Sequence, residues 1–225
     1  METIFIKEGD NLQEKIDEAI LKSSKLVIKK GLYETTPLFI NGALTLEFEE
    51  GATLLATTNE ALYQNIKTSV EGIKMEWYPA LLNVIDTSNV TIKGQGILDG
   101  NGPYWWNKYW GLDMKGGYRK IYDEKGLRFA ADYDCKRPRN LLVQNSSNVK
   151  IYDITSTSSG FWNIHILYSN DILIENVKIK SEAINSPSTD GIDIDSSYNV
   201  VVNKVETNCN DDSVCIKSGR DFDGI

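Results

Sequence analysis

Hydrophobic residues follow a helical spacing at the start of the chain and a strand spacing after it. Between residues 10 and 21 the apolar positions are Leu12, Ile16, Ala19 and Ile20. Asp10 is placed to cap this segment and Gln13 follows three residues later, so the pattern predicts an N-terminal capping helix over residues 10–21. Short β-rich runs separated by glycines then follow at 26–28, 38–40 and 44–48. These runs predict many short strands.

A repeat of asparagine followed by alternating apolar residues continues along the chain. It occurs at residues 88–92, 147–151, 170–174 and 198–202. Asn148 and Asn170 are 22 residues apart, whereas Asn170 and Asn199 are 29 apart, which indicates an insertion around residues 182–188. Two or three short strands in a repeat of this length are typical of one coil of a right-handed parallel β-helix. We therefore predict an all-β fold in which residues 1–225 form one parallel β-helix domain.

Two other repeat or strand architectures are disfavoured. A β-sandwich also has many short strands between turns, but it does not require asparagine units in register. Leucine-rich repeats are disfavoured because their Leu-x-x-Leu-x-Leu frame is absent. The repeat lapses at residues 99–138, which predicts a long loop excursion of the kind that often carries binding. Trp105, Trp106 and Trp110 lie there, placed either to stack on sugar rings or to pack against the flank of the β-helix.

Charge and hydropathy limit the functions open to this chain. The formal net charge is −8, the pI is near 4.8 and no stretch is dominated by Lys and Arg, which argues against a general nucleic-acid binder. No run of about 18 apolar residues is present, so no membrane-spanning helix is predicted. Residues 1–7 lack the basic and then apolar order of a secretion signal. Either the chain stays inside the cell or a signal was removed before this numbering begins.

Three cysteines are present, at Cys135, Cys209 and Cys215. Their number is odd and their spacing is not that of zinc ligands. We predict buried free thiols, with a bridge between Cys209 and Cys215 as the alternative in an oxidising compartment.

Two acidic motifs carry the candidate chemistry. Asp190 precedes Asp211 and Asp212 by 21 and 22 residues, which is about one repeat. Because neighbouring coils lie about 4.8 Å apart, we expect the three carboxylates to meet at one edge of a sheet. Carboxylates that close share protons, and cleavage of a glycosidic bond needs one protonated carboxyl and one carboxylate that activates water. Aspartates that serve only solubility or bind calcium are the alternative.

Two more aspartates follow Asp190 on the same predicted strand. Asp193 and Asp195 alternate with Ile192 and Ile194. The isoleucines are predicted to point into the coil and the aspartates outward. We interpret this aspartate pair as supporting groups and not as catalysts.

The acidic motifs and several upstream segments resemble the family 28 glycoside hydrolases, the polygalacturonases and their pectin-cleaving relatives. The segments that carry the resemblance are residues 49–54, 96–102, 161–165, 189–193 and 211–221, and the resemblance covers essentially the whole chain. It implies a parallel β-helix enzyme that hydrolyses α-1,4-galacturonosyl linkages in pectin with inversion and without a metal or cofactor. By position, Asp211 would be the general acid, and Asp190 and Asp212 would hold and deprotonate the attacking water.

Three further residues are candidate ligands for the substrate. Lys217 and Arg220 follow the acidic pair and could neutralise a uronate carboxylate, with solvated surface charges as the alternative. His165 is included because the resembling pattern places its strand towards the cleft, with a buried histidine as the alternative. The implied partner is a pectic polysaccharide or oligogalacturonide, with no nucleic acid and no membrane. The implied location of the whole enzyme is secreted or periplasmic, and a cytoplasmic one stays open because no signal is present.

The chain departs from the family pattern in two places. Ser188 stands where the family usually has asparagine. A Gly-His-Gly motif and a later Arg-Ile-Lys motif of the family do not occur before Ile225, and His165 lies too far upstream to be that histidine. We therefore expect this chain to be the front part of a longer enzyme, with little hydrolase activity alone and an unpaired β-helix end. A calcium-dependent pectate lyase and a non-catalytic glycan-binding β-helix are the alternative functions.

Overall fold

Three parallel β-sheets dominate the computed structural model, which describes residues 2–220. Consecutive strands along the chain enter different sheets, and each strand pairs with the strand one coil earlier. This winding is that of a right-handed parallel β-helix, so the predicted fold is confirmed. The longest helix within residues 2–220 is Leu12–Leu21, whose ten residues are too few to cross a bilayer.

The elements are short and numerous. The strands are β1 (Thr3–Ile6), β2 (Lys25–Ile28), β3 (Gly31–Thr35), β4 (Leu38–Ile40), β5 (Leu44–Phe48), β6 (Ala52–Ala56), β7 (Ile66–Val70), β8 (Ile73–Trp77), β9 (Leu82–Ile85), β10 (Ser88–Gly94), β11 (Ile97–Asp99), β12 (Leu141–Gln144), β13 (Ser147–Tyr152), β14 (Thr155–Thr157), β15 (Ile164–Leu167), β16 (Asn170–Glu175), β17 (Lys178–Lys180), β18 (Ile192–Asp195), β19 (Tyr198–Asn203), β20 (Glu206–Asn208) and β21 (Val214–Lys217). The helices are α1 (Leu12–Leu21), α2 (Gly102–Trp110), α3 (Gly117–Glu124) and α4 (Ala131–Asp134), with 3-10 turns at Glu60–Leu62 and Arg128–Ala130.

Each coil gives one strand to each of the three sheets. The first sheet has the order β1-β2-β5-β10-β13-β16-β19, the second β3-β6-β11-β14-β17-β20 and the third β4-β9-β12-β15-β18-β21. The chain visits the third, first and second sheets in turn, as in the coil β12 to β14. Strands β7 and β8 form a separate antiparallel hairpin.

Apolar side chains form continuous rows inside the coils. In the first sheet one row consists of Leu26, Leu46, Ile92, Ile151 and Ile174, which are in register on successive strands and have no exposed surface. Burying each such side chain stabilises the fold by about 1.5–3 kcal/mol. The alternation seen in the repeat units therefore builds the core, and the polar alternate positions face away from it.

Polar residues with left-handed backbone occupy the second position of β10, β13, β16 and β19 in the first sheet and form a corner there. Asn89, Asn148, Asp171 and Asn199 have φ values of 62°, 51°, 56° and 53°. Asn148 donates to the Asn89 side chain at 2.7 Å, and Asn199 donates to Asp171 at 3.1 Å. Asn and Asp tolerate this backbone and bond locally. The sequence alignment on Asn170 was wrong by one position, since Asp171 takes the corner 23 residues after Asn148 and 28 before Asn199.

Helix α1 packs at the first coils and covers an edge strand. Its N-cap is Asn11 and not the predicted Asp10, which instead accepts a hydrogen bond from the Lys7 amide at 3.0 Å. Gln13 is not part of the cap. Its side chain exchanges two hydrogen bonds, of 2.8 and 2.9 Å, with the backbone of Phe39 in the edge strand β4. These bonds satisfy backbone groups that lack a neighbouring strand.

The β7–β8 hairpin covers the outer face of the third sheet. Gln144 donates to the Lys67 carbonyl at 3.1 Å, and Arg139 donates to the Ser69 carbonyl at 2.8 Å. The indole of Trp77 donates to a backbone carbonyl at 2.9 Å. This hairpin was not predicted from the sequence, and it covers side chains that point outward from the sheet beneath it.

The excursion at 99–138 is helical and not an irregular loop. It contains α2, α3 and α4, and α2 presses its aromatic face against the β-helix. Trp105 and Trp106 are buried, and the Trp106 indole donates to the Ser159 carbonyl at 2.8 Å. These two rings therefore pack on the flank, which is the second of the alternatives that the sequence allowed.

The three cysteines are free thiols in the described residues. Cys135 is buried, as predicted, whereas Cys209 and Cys215 are only partly covered.

Candidate active site

A cleft of about 360 Å³ lies between the third sheet, the β7–β8 hairpin and the 99–138 excursion. Its lining combines carboxylates, aromatic rings and two cations. The lining residues are Glu71, Phe129, Asp132, Tyr133, Phe161, Trp162, Ser188, Asp190, Asp211, Asp212, Lys217 and Arg220. Five of the six residues predicted from sequence thus share one cleft, and only His165 lies elsewhere.

The winding of the chain brings Asp190, Asp211 and Asp212 together. Asp190 precedes β18, and the acidic pair precedes β21, the next strand of the same sheet. The Gly191 amide donates to the Asp212 carbonyl at 2.8 Å, which extends the strand ladder to the carboxylates. A Cβ at Gly191 would lie 2.4 Å from the Ser213 carbonyl oxygen, so this close approach of coils requires glycine. One carboxylate oxygen of each aspartate lies within 4.8 Å of the others.

The three carboxyl groups differ in their exposure to solvent. Asp190 is only 4% exposed, whereas Asp211 and Asp212 are exposed in the described part of the chain. Burial raises the pKa of Asp190 to about 6 against the opposing charge of Lys217, and the charge of Asp211 adds to the rise. Burial also raises the pKa of Asp211. Asp190 and Asp211 therefore retain their protons to higher pH than isolated aspartates do, chiefly because of burial.

Lys217 is the centre of a buried ion cluster beneath the cleft. Its ammonium lies 3.0 Å from Glu71, 3.5 Å from Asp190 and 3.3 Å from Asp193, and 4.7 Å from the ring centroid of Trp162. Burial opposes the charge on Lys217, but the two aspartates outweigh it and raise the pKa of the ammonium. Asp193 has no exposed surface, and burial raises the pKa of its carboxyl well above its usual range. Lys217 therefore reaches the cleft with its charge already shared among three carboxylates.

Arg220 and a pair of aromatic rings form one wall of the cleft. The guanidinium donates to the Tyr133 hydroxyl at 2.9 Å, and the Arg220 amide donates to the Gly72 carbonyl in the hairpin turn at 3.2 Å. Phe161 and Trp162 stack with ring centroids 4.7 Å apart and an interplanar angle of 17°. An exposed cation beside apolar rings suits a sugar acid, which has both a carboxylate and an apolar ring face.

His165 lies behind the cleft and not in it. Its imidazole has no exposed surface and meets the Trp162 ring edge-on, with centroids 4.9 Å apart. Burial, followed by the charge of Arg139, lowers the pKa of His165 to about 3, so the ring is neutral at physiological pH. The predicted contact of His165 with substrate is therefore wrong for the described structure, and the alternative of a buried histidine holds.

Asp193 and Asp195 do point away from the coil interior, as their alternation with isoleucine predicts. Both are nevertheless buried, with exposures of 0% and 1%, because the β7–β8 hairpin lies over this face of the third sheet. Asp195 lies 3.4 Å from His165. The expectation that both aspartates have supporting roles agrees with these positions.

Two acidic residues of the cleft were missed by sequence reasoning. Glu71 stands at the turn of the β7–β8 hairpin, and Asp132 stands in α4. The Glu71–Gly72 turn between two alternating runs is a signal that could have predicted the hairpin. No sequence signal identifies Asp132. Trp110 lines a recess of about 210 Å³ that adjoins the cleft, so it is the one tryptophan of the α2 helix that stays near the site.

The close carboxylates also raise the question of a metal ion. Ligand atoms lie within 4.8 Å of one another both in the Asp190, Asp211 and Asp212 group and in a group of Asp190, Asp193 and Cys215. The Lys217 ammonium already lies 3.5 Å from Asp190 and 3.3 Å from Asp193. Lys217 thus supplies positive charge to Asp190 and Asp193.

Comparison with known proteins identifies relatives that include several polygalacturonases. Residues 51–223 match the model of the family described as glycosyl hydrolases family 28. A probable polygalacturonase of Vitis vinifera is 27% identical over 208 residues, covering 90% of this chain and 38% of that protein. An exo-poly-alpha-D-galacturonosidase of Dickeya chrysanthemi is 25% identical over 242 residues, covering 94% of this chain and 39% of that protein.

A solved structure shares the fold over the whole described chain. The hyperthermoactive exopolygalacturonase from Thermotoga maritima superposes with a TM-score of 0.82 at 26% identity, covering 99% of this chain and 56% of that one. This chain therefore spans about two fifths of the length of the two curated relatives and somewhat over half of the solved one. Since the family match extends over most of its length, the chain belongs to glycosyl hydrolase family 28.

Proposed function

We propose that the protein hydrolyses α-1,4-galacturonosyl linkages in a pectic polysaccharide or oligogalacturonide. The observation that carries this proposal is the meeting of Asp190, Asp211 and Asp212 within 4.8 Å in a cleft that also presents Arg220 and Lys217. The carboxylates supply the acid and base that glycosidic cleavage requires. The cations and the Trp162 ring supply the surface that a uronic acid requires. The relatives described above include a probable polygalacturonase, an exo-poly-alpha-D-galacturonosidase and an exopolygalacturonase.

The reaction uses the three aspartates in two roles. Asp211 faces the cleft and transfers its proton to the glycosidic oxygen as the bond from that oxygen to C1 breaks. A water molecule held by Asp190 and Asp212 attacks C1 and gives its proton to one of these carboxylates. A new hydroxyl then stands on C1, and the leaving sugar carries the proton from Asp211. The charge of Lys217 beside Asp190 stabilises that carboxylate in its ionised form.

We assign inversion of the anomeric centre, because two carboxylates to hold one water suit a single displacement. The oxygens lie within 4.8 Å, whereas paired carboxyl groups are about 6.5–9.5 Å apart in most inverting enzymes and about 5–5.5 Å apart in retaining ones. The anomeric configuration of the first product therefore decides between inversion and retention. Proton NMR during early turnover should show the β-anomer of the new reducing end, and the α-anomer would reject inversion.

The hydrolytic function is tested by product and by variant. A full-length protein that contains this chain, incubated with polygalacturonate, should release reducing ends and no unsaturated, ultraviolet-absorbing product, whereas residues 1–225 alone should show little turnover. Asp190→Asn and Asp211→Asn should each lower the rate by at least about 100-fold. Asp153→Asn is the matched control, because Asp153 is exposed and bonded to Asn176 in an outer turn. An unsaturated product would select a lyase, and binding without turnover would select a glycan-binding role.

The separate roles of acid and base are tested with a substrate whose leaving group needs no proton. On para-nitrophenyl galacturonide, Asp211→Asn should keep most of the wild-type rate, because nitrophenolate leaves unaided. Asp190→Asn should stay inactive, because water activation is still required. Equal losses for both variants on this substrate would reject the assignment of Asp211 as the acid.

We further propose that the protein acts outside the cytoplasm, in a secreted or periplasmic location. A pectic polymer is too large to cross a membrane, so the enzyme has to meet it outside. Fractionation of the producing cells with an antibody to this chain would test that location, and a purely cytoplasmic signal would contradict it.

A further inference from the structure

The segment that carries Asp190 is held in place by residues from the 99–138 excursion. Arg137 has no exposed surface, and its guanidinium donates to the Pro187 carbonyl at 2.7 Å and to the Ser188 hydroxyl at 3.3 Å. The same guanidinium donates to Asp132 at 2.7 Å. The Ser188 hydroxyl also donates to Asp132 at 2.7 Å. Two residues immediately before Thr189 and Asp190 are thus bound to a charged pair that lies outside the third sheet.

The charged pair is itself immobilised. The guanidinium carbon of Arg137 lies 4.3 Å from the ring centroid of Tyr109 and 4.8 Å from that of Phe161. The Tyr109 hydroxyl donates to the second oxygen of Asp132 at 3.1 Å. Charge-assisted bonds of this length and two flanking rings leave Arg137 little freedom to move.

Ser188 needs such a partner because its backbone is strained. Its φ is 56°, in the left-handed region that a serine adopts only when its surroundings impose it. Thr189 follows with its hydroxyl donating to the Ser186 carbonyl at 2.9 Å, and Asp190 comes next. The Asp190 carbonyl accepts a hydrogen bond from the Asn163 amide at 2.8 Å, so the strand ladder holds this segment at Asp190 itself. A relaxation at Ser188 would therefore act on Asp190 from its N-terminal side.

We propose that Asp132, Arg137 and Ser188 form a clamp that positions the Asp190 carboxyl, and that Asp132 serves the site through this clamp and not as an acid or base. The effect of the clamp on kcat rests on the proposed function, whereas its effect on the position of Asp190 does not. The three are positioning residues, because their polar groups are bound to one another. A clamp of this kind links the helical excursion to the chemistry of the third sheet.

The carboxyl of Asp190 provides a direct readout of the clamp. The charged and titratable groups that surround it on the packed elements are Asp193, Cys209, Asp211, Asp212, Cys215 and Lys217, with Glu71 beyond Lys217. None of these belongs to the clamp. Burial is the largest cause of the raised pKa of Asp190, so a loosened segment that admits water should lower it.

The test uses Ser188→Ala in the full chain, which removes the hydroxyl and keeps the Cβ. Carboxyl carbon NMR should show the pKa of Asp190 falling from about 6 by about one unit. Turnover of polygalacturonate should show a kcat about tenfold lower with KM within about twofold of wild type. Ser188→Asn restores a donor in a residue that tolerates positive φ, and should recover both values. Asp134→Asn, on the same short helix but outside the clamp, should change neither.

The outcomes separate the clamp from the proposed function. A full-length wild-type protein without turnover would count against the proposed function, and the NMR titration would still decide on the clamp. An unchanged Asp190 pKa in folded Ser188→Ala would overturn the clamp, even if the variant is less stable than wild type. If Ser188→Ala does not fold, Tyr109→Phe replaces it. That nearly isosteric change removes one donor from Asp132 and should shift the Asp190 pKa in the same direction, and no shift would overturn the proposal.

Discussion

Replacing Asp190 by asparagine should make the protein more stable at neutral pH while it removes activity. The pKa of this carboxyl rises from 3.8 to about 6 on folding, chiefly because it is buried. At about 1.4 kcal/mol for each pKa unit, the ionised carboxylate lowers the free energy of unfolding by about 3 kcal/mol. Asparagine has nearly the same shape as the protonated aspartate and cannot ionise, so Asp190→Asn avoids that cost.

The direction in which stability changes with pH follows from proton binding in the folded and unfolded states. Between pH 3.8 and about 6 the folded protein holds the Asp190 proton more tightly than the unfolded chain does. The contribution of Asp190 to stability is therefore present below pH 3.8 and is lost as the pH rises through about 6. Urea unfolding at a series of pH values should show Asp190→Asn about 3 kcal/mol more stable than wild type at pH 7.5. The difference should vanish near pH 3.5.

Two results would refute this reasoning. One is a variant less stable than wild type at pH 7.5, which would mean that the bond to Lys217 outweighs burial. The other is a stability difference that does not depend on pH. Asp153→Asn, an exposed change elsewhere on the coil, should stay within about 0.5 kcal/mol of wild type throughout.

Three further changes test other parts of the structure. Lys217→Met should lower the free energy of unfolding by about 3 kcal/mol at pH 8 and by less at pH 5. The pH dependence is expected because Asp193, left without its cation, takes up a proton at low pH. An equal loss at both pH values in urea titrations would contradict this. Wild type should lose stability as the pH falls below 6.5, because folding lowers the histidine pKa to about 3 and the unfolded chain therefore binds the proton at higher pH than the folded chain. His165→Gln should make this loss smaller. Parallel curves of stability against pH for the two proteins would argue against a buried neutral ring. Gly94→Ala should lower the free energy of unfolding by more than about 2 kcal/mol, because the new Cβ would lie 2.2 Å from the Phe48 carbonyl oxygen. Gly126→Ala should lower it by only about 1 kcal/mol, because no atom lies within 4 Å of its Cβ position. Equal shifts in melting temperature for the two variants would contradict the steric explanation.

The coil and the aspartate cluster were predictable because a repeating chain converts sequence separation into distance. Once the repeat length is read from residues 147–151 and 170–174, Asp190 and Asp211 fall on neighbouring coils. The error at Asn170 shows the limit of this reading, since asparagine and aspartate serve the corner equally well and the alignment can slip by one.

The features that could not be predicted depend on segments outside the repeat. Lys217 meets Glu71 across 146 residues, and Ser188 meets Asp132 across 56. No spacing rule places the hairpin or the excursion helices over one particular sheet face. The burial of His165 follows from that cover, because the outward face of a strand is exposed only where nothing lies over it.

The hydrogen bond from Gly191 to Asp212 fixes more than a strand register. Because the spacing of parallel strands is a property of the peptide group, the distance between the backbone segments that carry the reacting carboxylates is inherited from the strand ladder, and side-chain contacts such as those of Ser188 then position the carboxyl groups. Insertions at the corners between β18, β19 and β20 could lengthen the coil without changing that distance. Such a scaffold allows its surface loops to diversify towards different substrates while the geometry of bond cleavage is held constant.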